Sequence, residues 1–394
     1  MAAISFDPRI NRQMSKSSHG VIIEEIEGLI RVYKDGHIER PPIIPSVPCN
    51  VATVNDVTAK DVVIDKFTSL WARIYVSNRS GTLPLLVYLH GGGFCVGSAA
   101  WSCYHEFLAN LASKASCIIL SINYRLAPEN RLPAAYDDGV NAFTWVRQQA
   151  LNGPPEHQWW LSRCNLSSIF LAGDSAGANI AYNVATRVVS SYNPESMTKP
   201  LCFKGIILIQ PFFGGEARTL SEKNMTQPAN SALTLSASDT YWWLSLPPGS
   251  NHDHPYCNPL ANGASNKLRD LRLPPVMVGI SELDVLKDRN SEFFSALTRA
   301  VKTEKLNLSH AASSPSSSSS SPLVRPPSPP SLWSALLFST SPSSEPAPPS
   351  LSFQPPSPLL LSSFRPAPPS PLQVCSIYIW VRKLEISVEI WVDF

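Results

Sequence analysis

Five short, uninterrupted apolar runs constrain the fold of this chain more than any other feature. They cover residues 83–90, 117–124, 168–174, 205–213 and 274–284, and helix-like segments lie between them. Apolar runs of this length are typical of strands that are buried on both faces of a parallel sheet. Because such strands alternate with helices here, we predict an α/β fold with a mostly parallel central sheet flanked by helices.

Alternating apolar and polar residues precede the first run and predict antiparallel strands. Residues 29–40 alternate around Asp35 and Gly36, where the positive φ that glycine tolerates allows a tight hairpin turn. Residues 61–77 continue the alternation and predict a second antiparallel pair.

The composition excludes several classes of partner and site. The formal net charge is only +2, which gives no electrostatic reason to expect nucleic acid. The eight cysteines are scattered without a C-x-x-C pair, so we expect free thiols rather than a disulfide frame or zinc site. No metal or organic cofactor is implied. Residues 1–20 contain no apolar signal segment and the chain has no run of 18 apolar residues, so we expect a cytoplasmic protein without membrane spans.

The segment Gly173-Asp174-Ser175-Ala176-Gly177 fits the pattern G-x-S-x-G and lies between a buried strand and a helix-like segment. In this context the two glycines allow a sharp turn that lifts the serine oxygen above the carboxyl edge of the sheet. The helix that follows offers backbone N–H groups to a developing oxyanion. The pattern therefore predicts an exposed nucleophilic hydroxyl at Ser175.

A second motif, His90-Gly91-Gly92-Gly93-Phe94, follows the apolar run at 83–90. Consecutive glycines leave their N–H groups uncovered, so that a substrate oxygen can approach them closely. A phosphate-binding loop is disfavoured, because neither G-x-G-x-x-G nor a following Gly-Lys-Ser/Thr is present. We expect His90 to be structural and to hydrogen-bond the loop.

These two motifs give the chain its resemblance to plant carboxylesterases of the hormone-sensitive-lipase-like group in the α/β-hydrolase superfamily. The segments 122–139, 253–259 and 280–290 support it, and the resemblance extends from about residue 20 to about residue 305. It implies a serine esterase that acts on small-molecule esters through an acyl-enzyme. By resemblance, Ser175 is the nucleophile and Asp284 the triad acid, while Gly91, Gly92, Gly93 and Ala176 form the oxyanion hole.

The position of Asp284 also has independent support. It stands just beyond an apolar strand, at the sheet edge where active-site loops gather. It follows Ser175 in the order serine, acid, histidine that this fold uses. Spacing alone leaves Glu282 as a competitor, whereas Asp288 fits a helix-capping carboxylate better.

The catalytic histidine is not identified. His310 is the only histidine after Asp284, yet it lacks the glycine turn that surrounds the histidine of the family, and a serine-rich run follows it. His252 and His254 come too early in the chain order. Without a base, a serine hydroxyl is a weak nucleophile at neutral pH.

The chain after about residue 305 departs from the family. Residues 311–372 contain 21 serines and 17 prolines, too little apolar content to offset the entropy of ordering. We expect a flexible lid at 1–25, an α/β-hydrolase domain at 26–305 without its final strand and helix, a disordered segment at 306–374, and an apolar tail at 375–394 able to form a strand. Such a change is typical of a sequence that runs out of frame or through an unspliced intron.

Two functions from different classes remain open at this stage. The first is a carboxylesterase whose turnover is impaired by loss of the histidine. The second is a non-catalytic hormone binder, because gibberellin receptors resemble this family and also lack the histidine. Proline-rich runs in 306–374 also fit polyproline ligands. The oligomeric state is not predicted.

Overall fold

The computed structural model describes residues 19–51, 56–190, 199–227, 231, 233–262, 267–271, 273–312, 376–381 and 384–389. Its strands are β1 Ile22–Ile26, β2 Ile30–Tyr33, β3 Ile38–Glu39, β4 Val57–Asp65, β5 Leu70–Ser77, β6 Leu83–Leu89, β7 Ile118–Asn123, β8 Cys164–Asp174, β9 Phe203–Ile209, β10 Val276–Ser281, β11 Ser376–Val381 and β12 Leu384–Glu389. Its helices are α1 Ser102–Ala115, α2 Ala134–Asn152, α3 Gln158–Leu161, α4 Ala176–Val189, α5 Leu220–Asn224, α6 Leu235–Ser245, α7 Lys267–Asp270 and α8 Lys287–Ala312, with a 3₁₀ turn at Pro155–His157.

A nine-stranded sheet forms the centre of the fold, in the order β12-β11-β10-β9-β8-β6-β7-β5-β4. The strands β7, β6, β8, β9 and β10 run parallel to one another. All five apolar runs form these strands, so the predicted α/β fold with a mostly parallel sheet is confirmed. The residues of β6 and β7 are almost all buried, as expected for central strands of a sheet that is covered on both faces.

The antiparallel pairs predicted before the first run are also confirmed. Strands β2 and β3 pair around a turn in which Gly36 has a φ of 88°. Strands β4 and β5 pair along the edge of the large sheet.

Part of the expected lid segment lies in a strand. Residues 22–25, expected to be part of a flexible lid, form β1 and pair with β2 in a small three-stranded sheet. Ile22 and Ile23 nevertheless keep about half of their surface exposed. The backbone hydrogen bonds between β1 and β2 hold this part of the chain, and the boundary at residue 25 stays a prediction.

The described carboxyl-terminal residues form the end of a helix and two strands. Helix α8 continues to Ala312, seven residues into the segment expected to be disordered from residue 306, while residues 313–375 lie outside the described residues. Beside β10, the sheet continues with β11 in an antiparallel direction, and β12 pairs with β11. Across the part of the chain that the structure describes, no parallel strand follows β10.

The described helices include none that combines the length and the apolar character needed to cross a bilayer. The topology places four loops at one edge of the sheet, because β6, β8, β9 and β10 are parallel and their carboxyl ends meet there. This edge holds the residues predicted to carry chemistry.

Candidate active site

The turn between β8 and α4 gives Ser175 an unusual backbone conformation. Its φ of 53° and ψ of −119° lie where non-glycine residues are rare, and such strain is typical of functional turns. Hydrogen bonds fix it: the Ser175 N–H donates to the carbonyl of Ile209 at 2.8 Å, and the Ser175 carbonyl accepts from Phe212 N–H at 3.0 Å. The strand–turn–helix context predicted for this serine is therefore present.

The two flanking glycines are needed for a different reason than expected. Positive φ falls on Ser175 itself and on neither Gly173 nor Gly177. Instead, a methyl group added at Gly177 would lie 1.9 Å from the Leu89 carbonyl oxygen, and one at Gly173 would lie 2.4 Å from Gly177. The glycines thus let the first turn of α4 touch the end of β6.

The turn that carries Ser175 is closely packed. As a whole residue, Ser175 has only 5% of its surface exposed; its Oγ is not one of the buried side-chain oxygens that lack a partner, so an accessible hydroxyl at this position stays a prediction. The low exposure of the residue comes from close packing around the turn. The loop after β9 donates a hydrogen bond to the Ser175 carbonyl, and the glycine loop packs against Asp174. Within the described part of the chain, the Ser175 hydroxyl makes no hydrogen bond.

The glycine loop lies directly beside this turn. A methyl group added at Gly91 would lie 2.4 Å from Oδ2 of Asp174, while Gly92 and Gly93 have φ values of 116° and 57°. The Gly91 N–H lies 3.0 Å from Oδ1 of Asp174 and 2.8 Å from the Tyr104 hydroxyl. Because that N–H is already bonded, Gly91 does not fit its predicted place among the oxyanion donors.

Three N–H groups remain next to the turn, those of Gly92, Gly93 and Ala176. None of them has a hydrogen-bond partner within the described residues. The Ala176 N–H begins α4, where the helix dipole adds positive potential. We call these three groups the amide cradle. The ring of Tyr241 packs on Gly93, since a methyl group there would lie 2.4 Å from it.

The neighbouring histidine has the structural position expected for it. His90 is fully buried and stacked on Tyr124 at 4.3 Å between ring centroids. Its Nδ1 lies 2.8 Å from the Gly91 carbonyl oxygen, so Nδ1 carries the proton and donates it. Burial lowers the pKa of His90 to about 4, so the ring is neutral at physiological pH.

The carboxylate of Asp284 lies just past β10 and is also buried, with 7% of its surface exposed. Oδ2 accepts from Nε2 of Gln210 at 2.7 Å, and Oδ1 accepts from the N–H of Leu286 at 3.0 Å. Burial raises the pKa of this carboxyl above its ordinary value. Gln210 follows β9, the strand between those of Ser175 and Asp284, so it bridges the two halves of the site.

The other two acidic candidates lie elsewhere in the loop. Glu282 is 41% exposed and forms an ion pair with Lys287 at the surface. Asp288 accepts from the N–H of Ser221 at 2.7 Å and so ties α5 to the start of α8. Of the three carboxylates, only Asp284 is both buried and linked to the strand next to Ser175.

No described histidine ring lies within hydrogen-bond or ion-pair distance of Ser175 or Asp284. His252 lies 3.6 Å from a carboxylate oxygen of Glu216 instead. His310 belongs to the last turns of α8, and 23 residues at 1.5 Å each place it about 34 Å along the axis from Lys287.

Several residues of this edge were not found by reading the sequence. Asp174 occupies the variable position of G-x-S-x-G, yet its carboxylate accepts a hydrogen bond from the Gly91 N–H. Tyr88, Tyr104 and Gln210 were missed because their partners are 70 to 86 residues away in the chain. A sequence signal for Asp174 and Gln210 is their place at the end of an apolar stretch, where a polar side chain follows buried strand residues.

Comparisons with known proteins agree with this arrangement. The family model described as the alpha/beta hydrolase fold matches residues 86–311. Probable carboxylesterase 6 of Arabidopsis thaliana is 48% identical over 289 residues, covering 72% of this chain and 82% of that protein. Carboxylesterase 20 of the same plant is 38% identical over 273 residues, covering 64% and 80%. A solved esterase from Pyrobaculum calidifontis shares the fold with a TM-score of 0.51 and 27% identity, covering 64% of this chain and 72% of that chain.

Proposed function

The chain belongs to the plant carboxylesterases of the α/β-hydrolase family, and from this premise we propose that Ser175 is its nucleophile, Asp284 its acid and the amide cradle its oxyanion hole. The observation that carries the proposal is the strained backbone of Ser175 beside three N–H groups that no described residue occupies. Strain of this kind is retained where function requires it. The substrate class is a small-molecule carboxylic ester.

The proposed reaction begins when Oγ of Ser175 attacks the ester carbonyl carbon. The carbonyl electron pair moves to oxygen, and the N–H groups of Gly92, Gly93 and Ala176 stabilise the resulting oxyanion. Collapse of this intermediate forms the acyl-enzyme and expels the alkoxide, which takes a proton and leaves as the alcohol. Water then attacks the acyl group, the acid departs, and the serine hydroxyl is restored.

Proton transfer limits this reaction. Oγ must lose a proton on attack and the leaving alcohol must gain one, and in complete triads an imidazole does both. Since no described imidazole contacts Ser175 or Asp284, this chain turns esters over slowly. The cradle and substrate binding alone sustain a rate about 10³–10⁴-fold above that of water.

The role of Asp284 follows from its surroundings. In a complete triad the acid orients an imidazole and stabilises its charged form. Here both of its oxygens already accept hydrogen bonds, from Gln210 and Leu286, so the carboxylate is held in a fixed orientation. A carboxylate oxygen has a second lone pair, so an imidazole supplied from solution can still bond to it.

Two measurements on the full chain test the proposal. The first is labelling with a fluorophosphonate, followed by mass spectrometry of the adduct, and we expect one adduct at Ser175 that Ser175→Ala abolishes. The matched control is Ser121→Ala, a buried serine in β7 whose hydroxyl has no hydrogen-bond partner in the described structure, and it should label normally. An unlabelled but folded protein that binds a small hormone tightly would instead support the receptor.

The second measurement is hydrolysis of p-nitrophenyl acetate with and without added imidazole. We expect slow hydrolysis, and an increase with imidazole beyond the background reaction of imidazole with the ester. Ser175→Ala should remove that increase. Fast hydrolysis without imidazole would show that a base is present and that the proposed impairment is wrong.

A further inference from the structure

A buried carboxylate is hydrogen-bonded to the glycine loop. Asp174 is the last residue of β8 and has 7% of its surface exposed. Its Oδ1 accepts from the Tyr88 hydroxyl at 2.9 Å and from the Gly91 N–H at 3.0 Å, and its Oδ2 accepts from the Tyr104 hydroxyl at 3.0 Å. Three elements, β6, the glycine loop and α1, therefore meet at one side chain.

No cation contacts this carboxylate among the described residues. Among the described residues, three neutral donors compensate for its burial, and each makes a charge-assisted hydrogen bond, roughly twice as strong as a neutral one. Burial raises the pKa of Asp174, and it raises the pKa of Tyr88 well above its ordinary value, so the tyrosine remains a hydroxyl donor. Loss of one donor would leave a buried charge partly unsatisfied, which is costly.

The same carboxylate controls the direction of the cradle. The Gly91 N–H donates to Oδ1 of Asp174 and to the Tyr104 hydroxyl, while the Gly91 carbonyl accepts from Nδ1 of His90. The carbonyl of Gly91 and the N–H of Gly92 belong to one trans peptide unit and point in opposite directions. Fixing Gly91 at both ends therefore fixes where the Gly92 N–H points.

We propose that Asp174, held by the hydroxyls of Tyr88 and Tyr104, is a positioning residue that aims the amide cradle at Ser175. The assignment rests on the proposed function of the cradle. It gives Asp174, the second residue of the motif G-x-S-x-G, a positioning role. Asp174 does not touch the substrate; it acts through Gly91. Asp174 is covalently joined to Ser175 and hydrogen-bonded to Gly91. The distance between the nucleophile and the oxyanion donors is therefore held constant.

The test compares rates of fluorophosphonate labelling of the full chain in folded variants. Asp174→Asn preserves the shape but removes the charge, and we expect its labelling rate to fall by about 10-fold or more, since one oxyanion donor is worth about 10²–10³. Tyr104→Phe removes the hydroxyl that donates to Oδ2 of Asp174, and we expect its labelling rate to fall several-fold. Tyr75→Phe is the matched control: it is a buried tyrosine of the same apolar cluster, bonded to His105, and its labelling should not change.

A merely structural role makes a different prediction. If Asp174 only stabilises the fold, Asp174→Asn and Tyr104→Phe would lower the melting temperature yet label at the wild-type rate below it, and the proposal would be overturned. Tyr104→Phe keeps the test valid if Asp174→Asn does not fold.

A second readout does not depend on Ser175. In spectra of the full chain labelled with ¹⁵N-glycine, the Gly91 amide proton should resonate downfield because it donates to a carboxylate. In Tyr104→Phe, the resonances of Gly91, Gly92 and Gly93 should all move, while Tyr75→Phe leaves them in place. Unmoved resonances contradict the positioning role even if labelling fails, whereas absent labelling of the wild type contradicts only the assignment of Ser175.

Discussion

Gly177→Ala is the sharpest perturbation of the contact between the nucleophile turn and the glycine loop. The added methyl group would lie 1.9 Å from the Leu89 carbonyl oxygen, 2.5 Å from the Leu89 carbonyl carbon and 2.6 Å from the His90 carbonyl oxygen. All three atoms are backbone, so no side-chain rotation relieves the clash. Since real contacts of this kind stay above 3.0 Å, the first turn of α4 and the end of β6 must separate by about 1.1 Å, from 1.9 to 3.0 Å.

The expected magnitude follows from two opposing terms. Overpacking costs about 3 kcal/mol at the upper end of its usual range, and replacing a helical glycine by alanine gains about 1 kcal/mol. We therefore expect a net loss of about 2 kcal/mol in the free energy of unfolding. The effect on chemistry is larger, because a displacement of about 1 Å between reacting groups costs about 100-fold in rate.

The assay measures unfolding by urea and, under conditions where both proteins are folded, the rate of fluorophosphonate labelling at Ser175. The matched control is Gly139→Ala in α2, where the added methyl group meets side chains rather than backbone, Cγ2 of Val184 at 2.4 Å and Cγ2 of Ile180 at 3.6 Å. That variant should label at the wild-type rate. A Gly177→Ala variant with wild-type stability and wild-type labelling would refute the close packing on which the site geometry depends.

Three further outcomes are expected. His310→Ala should leave fluorophosphonate labelling and ester hydrolysis unchanged, because residue 310 lies far along α8 from the site; a loss of hydrolysis would identify it as the base. Burial raises the pKa of Asp284, so its ionisation opposes folding as pH rises above about 4. Asp284→Asn should therefore gain unfolding free energy relative to the wild type from pH 3 to pH 7, and a constant difference would contradict the shift. Glu222→Gln leaves the buried Arg289 without its anionic partner and should cost about 3 kcal/mol in urea unfolding; an unchanged midpoint would contradict this.

Much of the fold can be read from the sequence because its signals are local. The runs that form β6 to β10 are mostly apolar, as expected for strands of a sheet that is covered on both faces. Ser175 and the glycine loop are recognised for the same reason, because each motif is contiguous and its chemistry depends on its own backbone.

The remaining features depend on contacts between distant parts of the chain. Gly91 looks like an oxyanion donor in isolation, but Asp174, 83 residues away, already accepts from its N–H. Gly177 looks like a turn residue, yet its small size is needed by Leu89. The low exposure of the Ser175 residue likewise follows from contacts with the segment after β9, which no periodicity in the sequence encodes.

The most direct test of the amide cradle is a crystal structure of the fluorophosphonate-treated protein. We expect phosphorus bonded to Oγ of Ser175, with the phosphonyl oxygen about 2.7–3.1 Å from the N–H nitrogens of Gly92, Gly93 and Ala176. A phosphonyl oxygen that points away from these three groups, or an adduct on another residue, would contradict the account.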